Sequence, residues 1–421
     1  MTDFFPEQAF AKEMDGHDPL AVYRGKFHMP KNTKGEDNIY FVGNSLGLQP
    51  TRAMEFIWEE MEMWKTSAAD GHHSGKRPWV LYETTLSEKT ARVVGANPSE
   101  VVVMNSLTVN LHFLMVSFYR PTKDRYKILM EEKAFPSDQY AVASQLRLHG
   151  FDPEDGMIEV CPKEGRSTIC NEDIIETIQR DGDSIALILF GGVNYYTGQC
   201  FDMEKIAEAG RAQGCVVGFD LAHASGNIPL QLHDWDVDFA TWCNYKYINA
   251  GPGSVASAFV HEKHSNHDHL PRLAGWWGHN RETRFKMPRQ FDPIPGAEGW
   301  QVSNINVLSA APLLASLNLF DEVGMNALRK KSFMLTGYLE YLLDEASTDG
   351  FTIISPRNPE YRGCQLSLQF GGNAKDIHKR LNEKGIICDY RKPGVIRVAP
   401  VPFYNSFMDV FNFVKELKKL L

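Results

Sequence analysis

Short apolar runs alternate with longer amphipathic segments through the middle of the chain. Residues 100–104, 127–130, 185–190 and 215–219 are runs of this kind. Each run is nearly continuous in apolar residues, which is typical of a strand that is buried on both faces. Because such strands are separated by helical segments, the pattern predicts a largely parallel sheet that is covered by helices on both sides.

The N-terminal region has a different pattern. Residues 1 to about 50 carry scattered Gly, Pro and Asn with weak periodicity, which predicts an irregular arm. Residues 51–66 place apolar side chains, from Met54 to Trp64, three and four positions apart. That spacing predicts a helix.

The pattern changes again near residue 305. Leu328, Leu335 and Leu342 mark one face of a long helix, and apolar residues between 407 and 417 form a stripe on a last helix. Strand-like runs at 364–370 and 395–398 lie between them, with a helix near 377–384. We therefore predict three parts: residues 1–70 as an arm and helix packed with the small domain, 71–305 as a large α/β domain, and 306–421 as a small α+β domain.

Composition and charge narrow the class of protein. The chain has 421 residues, of which 43% are hydrophobic, and a net charge of −9 that argues against nucleic acid or an anionic membrane as partner. Its seven cysteines form no C-x-x-C pair, which is typical of reduced thiols and predicts a cytoplasmic protein. The N-terminus lacks the pattern of a secretory signal, and no apolar run approaches the roughly 18 residues of a spanning helix.

Two residues at predicted strand ends suggest cofactor chemistry. Asp220 follows the run 215–219, and Lys246 follows the apolar stretch 238–243. Parallel strands bring such ends together at one edge of the sheet. An acid there can keep a pyridine nitrogen protonated, and a lysine can form a Schiff base with pyridoxal phosphate. Asp220 as a helix N-cap and Lys246 as a surface lysine are the competing interpretations, although the glycine-rich turn 251–254 favours a nearby ligand.

Three more predicted strand ends carry suitable groups. Residues 105–110 open a helix after a strand, so their amides and the Thr108 hydroxyl are candidates for binding phosphate. Phe135 and Asp138 follow the run 127–130 and offer an aromatic ring and an acid. The polar loop 194–198 follows the run 185–190. A plain N-cap at 105–110 is compatible with phosphate binding.

Several blocks of sequence resemble one family, the kynureninases. The blocks are residues 41–48, 75–79, 219–223, 242–247, 275–279 and 394–400. The resemblance runs from about residue 20 to the C-terminus. It implies a large domain like that of fold-type I pyridoxal-phosphate transferases, with a mainly parallel sheet and a smaller α+β C-terminal domain. It also implies pyridoxal 5′-phosphate as cofactor and a homodimer with its sites at the subunit interface.

The resemblance also implies roles for individual residues. Lys246 matches the Schiff-base lysine, and Tyr245 is the second catalytic candidate. The positions that match cofactor contacts are Leu107, Thr108, Phe135, Pro136, Ser137, Asp138, Asp220, His223, Tyr245, Lys246, Trp276 and Asn304. The positions that match substrate contacts are Ser45, His72, Asn304 and Arg397. No metal is implied. Gly191 departs from the pattern, because some members carry serine there.

The implied reaction is hydrolytic cleavage of the Cβ–Cγ bond of L-kynurenine or 3-hydroxy-L-kynurenine. The products are anthranilate or 3-hydroxyanthranilate and L-alanine, within tryptophan catabolism, the kynurenine pathway or NAD biosynthesis. His72 and Asn304 match members adapted to the 3-hydroxy substrate, so we predict preference for it. A histidine that merely lies in a loop is the competing interpretation of His72.

Three other functions compete with this one. A cysteine desulfurase or class V aminotransferase shares the arrangement of Asp220, His223 and Lys246, but no cysteine lies in an obvious Gly/Ser-rich loop. A metal protein is suggested by His261, His264, His267 and His269, although the segment is one residue short of H-E-x-x-H. A non-enzymatic binding module is disfavoured because Lys246, Asp220 and Arg397 are all present.

Overall fold

The structure is a computed structural model that describes residues 3–265, 270–346 and 350–421. Over these residues the strands are β1 (Ile39–Tyr40), β2 (Val101–Val103), β3 (Lys127–Glu131), β4 (Met157–Val160), β5 (Ile185–Gly191), β6 (Val216–Asp220), β7 (Phe239–Trp242), β8 (Ser257–Val260), β9 (Phe351–Ile353), β10 (Leu366–Phe370), β11 (Ile386–Ile387), β12 (Asp389–Arg391) and β13 (Val395–Val398). The α-helices are α1 (Gln8–Gly16), α2 (Ala53–Ser67), α3 (Tyr82–Val94), α4 (Leu107–Phe118), α5 (Pro136–Leu148), α6 (Pro153–Gly156), α7 (Asn171–Asp181), α8 (Met203–Ala212), α9 (Val307–Val323), α10 (Met325–Glu345), α11 (Ala374–Glu383) and α12 (Phe407–Lys418).

The large sheet has seven strands in the order β2-β8-β7-β6-β5-β3-β4. Strands β4, β3, β5, β6 and β7 are parallel to one another, whereas β8 is antiparallel to both β7 and β2. The apolar runs that predicted these strands are buried, because helices cover both faces of the sheet. The fold class predicted from the sequence is therefore confirmed. The strand β8 is the exception in direction: it follows β7 after the loop 243–256, which contains no helix, and runs back alongside it.

The small domain is built on a four-stranded antiparallel sheet in the order β12-β13-β10-β9. Helices α10, α11 and α12 contribute apolar side chains such as Leu339, Leu381 and Val410 to a core of its own. The predicted helices and strands of this region are confirmed. Strand β1, from the N-terminal region, pairs in parallel with β11, so the two ends of the chain meet in this domain.

The prediction of an irregular N-terminal arm is wrong in one part, because the arm contains the helix α1. Phe10 packs against Tyr338 with ring centroids 5.6 Å apart. The carboxylate of Asp15 accepts hydrogen bonds from the backbone N–H groups of Phe407 (2.6 Å) and Met408 (3.0 Å), at the start of α12. These tertiary contacts, rather than a clear apolar period, hold α1 in place.

Helix α9 connects the two domains. Its residues Leu313 and Phe320 lie in the large core, which also takes Phe56 of α2 and Leu86 of α3. The boundary near residue 305 stays a prediction. Among the described residues, no helix combines the length and the apolar character that crossing a membrane requires.

Candidate active site

A cavity of about 210 Å³ lies at the carboxyl ends of the parallel strands. Its walls are made by residues at or shortly after the ends of β3, β5, β6 and β7, and by the first turns of α4 and α5. Eleven of the residues singled out from the sequence line it: Ser45, Leu107, Thr108, Phe135, Ser137, Asp138, Asp220, His223, Tyr245, Lys246 and Arg397. Pro136 is the first residue of α5, between two of them.

The floor of the cavity is acidic. Asp220 is the last residue of β6, and its Oδ1 accepts a hydrogen bond from the Ala222 N–H at 2.7 Å. Burial raises the pKa of Asp220, and that hydrogen bond and the charge of Lys246 oppose the rise. Burial raises the pKa of Asp138 well above its usual value, and the neighbouring Asp220 raises it further. Burial thus shifts both acids toward the protonated form, Asp138 more strongly than Asp220.

Lys246 enters the same cavity from the loop after β7. Its Nζ is 5.8 Å from the centre of the Phe135 ring. The N-terminal region of the chain contacts the backbone of this loop: the Gly47 N–H donates to the Tyr245 carbonyl at 2.8 Å. A side chain at position 47 would collide with the Lys246 carbonyl, so glycine is required there. This contact explains one glycine of the block 41–48.

The first turn of α4 faces the cavity with Leu107 and Thr108. Ser106 precedes the helix, and its side chain makes no capping hydrogen bond. The N–H groups of a first turn have no partner within their helix and attract anions. This turn can therefore hold a phosphate group.

Two arginines lie on the opposite wall. Arg397 is 1% exposed, and its Nε donates to Asp389 Oδ2 at 2.6 Å while its Nη1 donates to the Tyr195 carbonyl, also at 2.6 Å. Arg391 donates to the same Asp389 oxygen at 2.9 Å. Burial lowers the pKa of Arg397. A guanidinium is effectively always protonated in proteins, so the group is charged. An unbonded edge of this group can bind a carboxylate.

His72, Trp276 and Asn304 do not line the cavity, and we call these three residues the outer cluster. His72 and Asn304 share a second cavity of about 310 Å³ with Trp64 and Trp79. Trp276 is 46% exposed, and its ring packs against that of Phe285, which is also exposed, with ring centroids 5.3 Å apart. The set of residues singled out from the sequence is thus divided between two places on one chain.

The described histidines of the segment 261–269 are bound to protein groups. His264 Nε2 is 2.8 Å from Asp238 Oδ1. His261 Nδ1 accepts from the Lys263 N–H at 3.1 Å, and its Nε2 lies 3.2 Å from the His233 carbonyl. His267 and His269 lie outside the described residues. His261 also lies near Glu100 and His233, but its ring nitrogens already have these backbone partners.

Sequence reasoning missed three groups that line the cavity: Asn44, Glu131 and Arg391. Glu131 is the last residue of β3, a charged residue at the end of a buried apolar run, which is the same signal that singled out Asp220. Asn44 lies within the block 41–48. Arg391 gave no signal, because its position depends on how the small domain packs against the sheet.

The cavity fits pyridoxal phosphate. It offers an acid for a ring nitrogen, an amine for an aldehyde, an aromatic ring for stacking and a helix N-terminus for phosphate. Polar atoms on its walls are buried without a partner among the described residues: Asn44 Oδ1, Asp138 Oδ1 and His223 Nδ1. Buried polar atoms without partners are costly, so these atoms are suited to a bound polar ligand.

Comparison with known proteins separates fold from family. A cysteine desulfurase from Thermococcus onnurineus has a TM-score of 0.74 at 16% identity, covering 100% of this chain and 99% of its own. A cysteine desulfurase from Escherichia coli has a TM-score of 0.74 at 17% identity, covering 96% and 99%. At such low identity these likenesses establish the shared fold alone.

Sequence relatives establish the family. Residues 328–417 match the family described as the kynureninase C-terminal domain. A kynureninase from Koribacter versatilis is 55% identical, covering 98% of this chain and 97% of its own length. The human kynureninase is 50% identical, covering 99% and 93%. The chain belongs to the kynureninase family, the pyridoxal-phosphate-dependent hydrolases that cleave kynurenine.

Proposed function

We propose that this enzyme cleaves 3-hydroxy-L-kynurenine in preference to L-kynurenine, as a homodimer in which each subunit completes the site of the other. The observation that carries the proposal is the division of the proposed site residues. The cavity holds Lys246, Asp220 and Arg397, whereas the outer cluster holds the groups suited to the aromatic end of the substrate.

Pyridoxal phosphate supplies an electron sink for the electrons released when the substrate loses its α-proton. Asp220 would be the acid that keeps the ring nitrogen protonated, with Asp138 beside it in the floor of the cavity. The first turn of α4 would hold the phosphate, and Phe135 would supply an aromatic face for the ring. Lys246 would anchor the cofactor through its amine, and the free amine would be the base for the α-proton of the substrate.

Arg397 and Tyr245 act on the substrate. Arg397 grips the substrate carboxylate, because a planar guanidinium matches a carboxylate with two parallel hydrogen bonds. Burial raises the pKa of Tyr245, so its phenol stays protonated near neutral pH and can donate to the keto oxygen. Water would add to that carbonyl, and collapse of the hydrate would break the Cβ–Cγ bond. The acyl carbon would leave as the aryl acid, the electron pair of the broken bond would stay at Cβ, and a proton taken up there would complete L-alanine.

The homodimer is supported by an exposed apolar surface near the outer cluster. Helix α2 exposes Trp58 and Trp64, and the loop beyond Trp276 exposes Phe285 and Met287. Contiguous exposed aromatic side chains are typical of an interaction surface. A second copy of the chain is the partner we propose. It would cover these exposed side chains and place its own outer cluster beside the cavity of the first copy.

Preference for the 3-hydroxy substrate follows from the polar groups of the outer cluster. The ring of His72 lies edge-on to Trp79 at 5.2 Å, in the cavity that Asn304 also lines. An imidazole and an amide there can hydrogen-bond a ring hydroxyl, and a substrate without that hydroxyl would leave them unpaired.

The test is to assay purified enzyme with pyridoxal phosphate on both substrates and to follow the aryl acid and alanine. We expect a higher kcat/KM for the 3-hydroxy substrate, and we expect His72→Phe to reduce that preference about tenfold. The matched control is His73→Phe, an exposed neighbour that does not line the cavity of Asn304. Equal efficiency on the two substrates in the wild type would refute the proposed preference.

Cellular context is part of the same proposal. Aryl acid and alanine as products are consistent with tryptophan catabolism through the kynurenine pathway and with a supply route for NAD biosynthesis. A cytoplasmic location is supported by the cysteines, all of which are free thiols.

A further inference from the structure

The cavity contains a third acid that the proposed roles leave unused. Glu131 is 3% exposed, and it lines the cavity together with Asp138 and Asp220. Its Oε2 is buried without a partner among the described residues. A buried carboxyl group is costly, so its position calls for a physical explanation.

Glu131 has one side-chain partner, Asn194. The Glu131 Oε1 accepts a hydrogen bond from Asn194 Nδ2 at 3.2 Å. The orientation of the Asn194 amide is fixed, because its Oδ1 accepts from the backbone N–H groups of Tyr196 (3.0 Å) and Thr197 (2.9 Å). Only the Nδ2 group is therefore free to face Glu131.

Asn194 in turn controls the turn that holds Arg397. Tyr195 follows Asn194 directly and precedes Tyr196 and Thr197, whose backbone N–H groups donate to the Asn194 side chain. The Tyr195 carbonyl accepts from Arg397 Nη1 at 2.6 Å, and its ring lies edge-on to Phe135 at 5.3 Å. A shift of this turn would therefore move both the carboxylate-binding guanidinium and the aromatic wall.

We propose that Glu131 is a positioning residue for substrate binding, which holds Asn194 so that Tyr195 presents Arg397 in the orientation that binds the substrate carboxylate. The inference rests on the proposed role of Arg397. It assigns Glu131 no contact with the reacting atoms. The role needs only a hydrogen-bond acceptor at the Oε1 position, and it does not need a negative charge.

The charge state of Glu131 agrees with that role. Burial raises the pKa of Glu131 to about 8, although hydrogen bonds from Asn194 and the Gly191 amide favour the ionised form. The group is therefore mostly neutral at pH 7, where it still accepts at one oxygen. Glutamine is consequently the matched replacement, since it keeps the acceptor and the volume.

The experiment compares Glu131→Gln with Glu131→Met, which have similar volumes and no charge but differ in the acceptor. The dissociation constant of L-alanine is measured by calorimetry on holoenzyme, with KM and kcat measured separately. We expect Glu131→Gln to bind L-alanine as the wild type does, and Glu131→Met to bind it about tenfold more weakly, with KM affected more than kcat. The control is Glu132→Met, since Glu132 pairs with the exposed Lys133 at 3.3 Å.

A second variant keeps the test decisive if Glu131→Met does not fold. A Cβ at Gly191 would lie 3.3 Å from Glu131 Oε1, so Gly191→Ala should displace the carboxyl and weaken L-alanine binding in the same direction.

Arg397→Met separates the proposed role of Glu131 from the proposed role of Arg397. Loss of affinity in Arg397→Met without loss in Glu131→Met or Gly191→Ala would overturn the role of Glu131 alone. Unchanged affinity in Arg397→Met would overturn the role of Arg397, and the role of Glu131 with it.

Discussion

The cavity and the outer cluster differ in how far their side chains are exposed to solvent. In the cavity, Asp220 and Arg397 are 8% and 1% exposed, and the elements around them come from both domains of one chain. In the outer cluster, Trp276 is 46% exposed and packs against Phe285, which is 55% exposed. A folded single chain therefore builds the part of the site suited to the cofactor and carboxylate, but it leaves the part suited to the aromatic ring open to solvent.

The largest expected effect comes from removing the amine of the cavity. Lys246→Ala should reduce kcat by about 10²–10⁴-fold or more, because both the anchor and the base are lost. Pyridoxal phosphate should still bind, since Asp220, Phe135 and the first turn of α4 remain. Single-turnover assays and equilibrium dialysis with the cofactor check the two statements. Wild-type turnover by Lys246→Ala in the absence of added amines would contradict the assignment.

The next effect tests whether the two regions act across subunits. Lys246→Ala and Trp276→Ala should each be inactive or weak alone. Mixed after unfolding and refolding together, they should recover about a quarter of wild-type activity, since half of the dimers are then mixed and each mixed dimer has one complete site. Activity of the refolded mixture is compared with the sum of the separately refolded variants.

The smallest effect concerns the stability of the segment that carries the outer cluster. Arg281, in that segment, donates to Glu83 Oε1 at 3.4 Å. Burial raises the pKa of Glu83 to about 7 from an ordinary value of 4.5, and the charge of Glu298 adds to the rise. The pKa of Glu83 is therefore higher in the folded protein than in the unfolded chain. Protonated Glu83 contributes to the free energy of unfolding below pH 4.5, and this contribution is lost as the pH rises through 7.

Glu83→Gln removes this dependence. Its Tm should exceed that of the wild type by about 2 °C or more at pH 8, and the difference should vanish near pH 4.5. Thermal unfolding across this pH range is the measurement. A variant that is less stable than the wild type at pH 8 would show that the ion pair of Glu83 with Arg281 outweighs the cost of burying the ionised carboxylate, which contradicts the prediction.

The sequence predicted what depends on local pattern and burial. The runs that became β3, β5 and β6 were recognisable because strands buried on both faces are continuously apolar. The helix α1 was not predicted, since its position depends on contacts with α10 and α12, far along the chain.

The same distinction applies to the site. Asp220 and Lys246 were found because each directly follows an apolar run. Glu131 has the same local signal, but its place in the site was not predicted, because its partner Asn194 is 63 positions away in sequence. The separation of Trp276 from the cavity could not be predicted, because spacing along a chain does not say which side of a fold a loop reaches.

The way the chain passes between its two cores has a consequence for dissecting the protein. Ala11 and Phe41 lie in the core of the small domain. Leu20, Phe27 and Leu48 lie in the core of the large domain. The N-terminal segment therefore contributes side chains to each core at two separate places along the chain. Residues 328–417, which match the family on their own, lack the first two of these side chains. That piece, expressed by itself, would present uncovered apolar surface to water and would aggregate rather than form a free-standing domain.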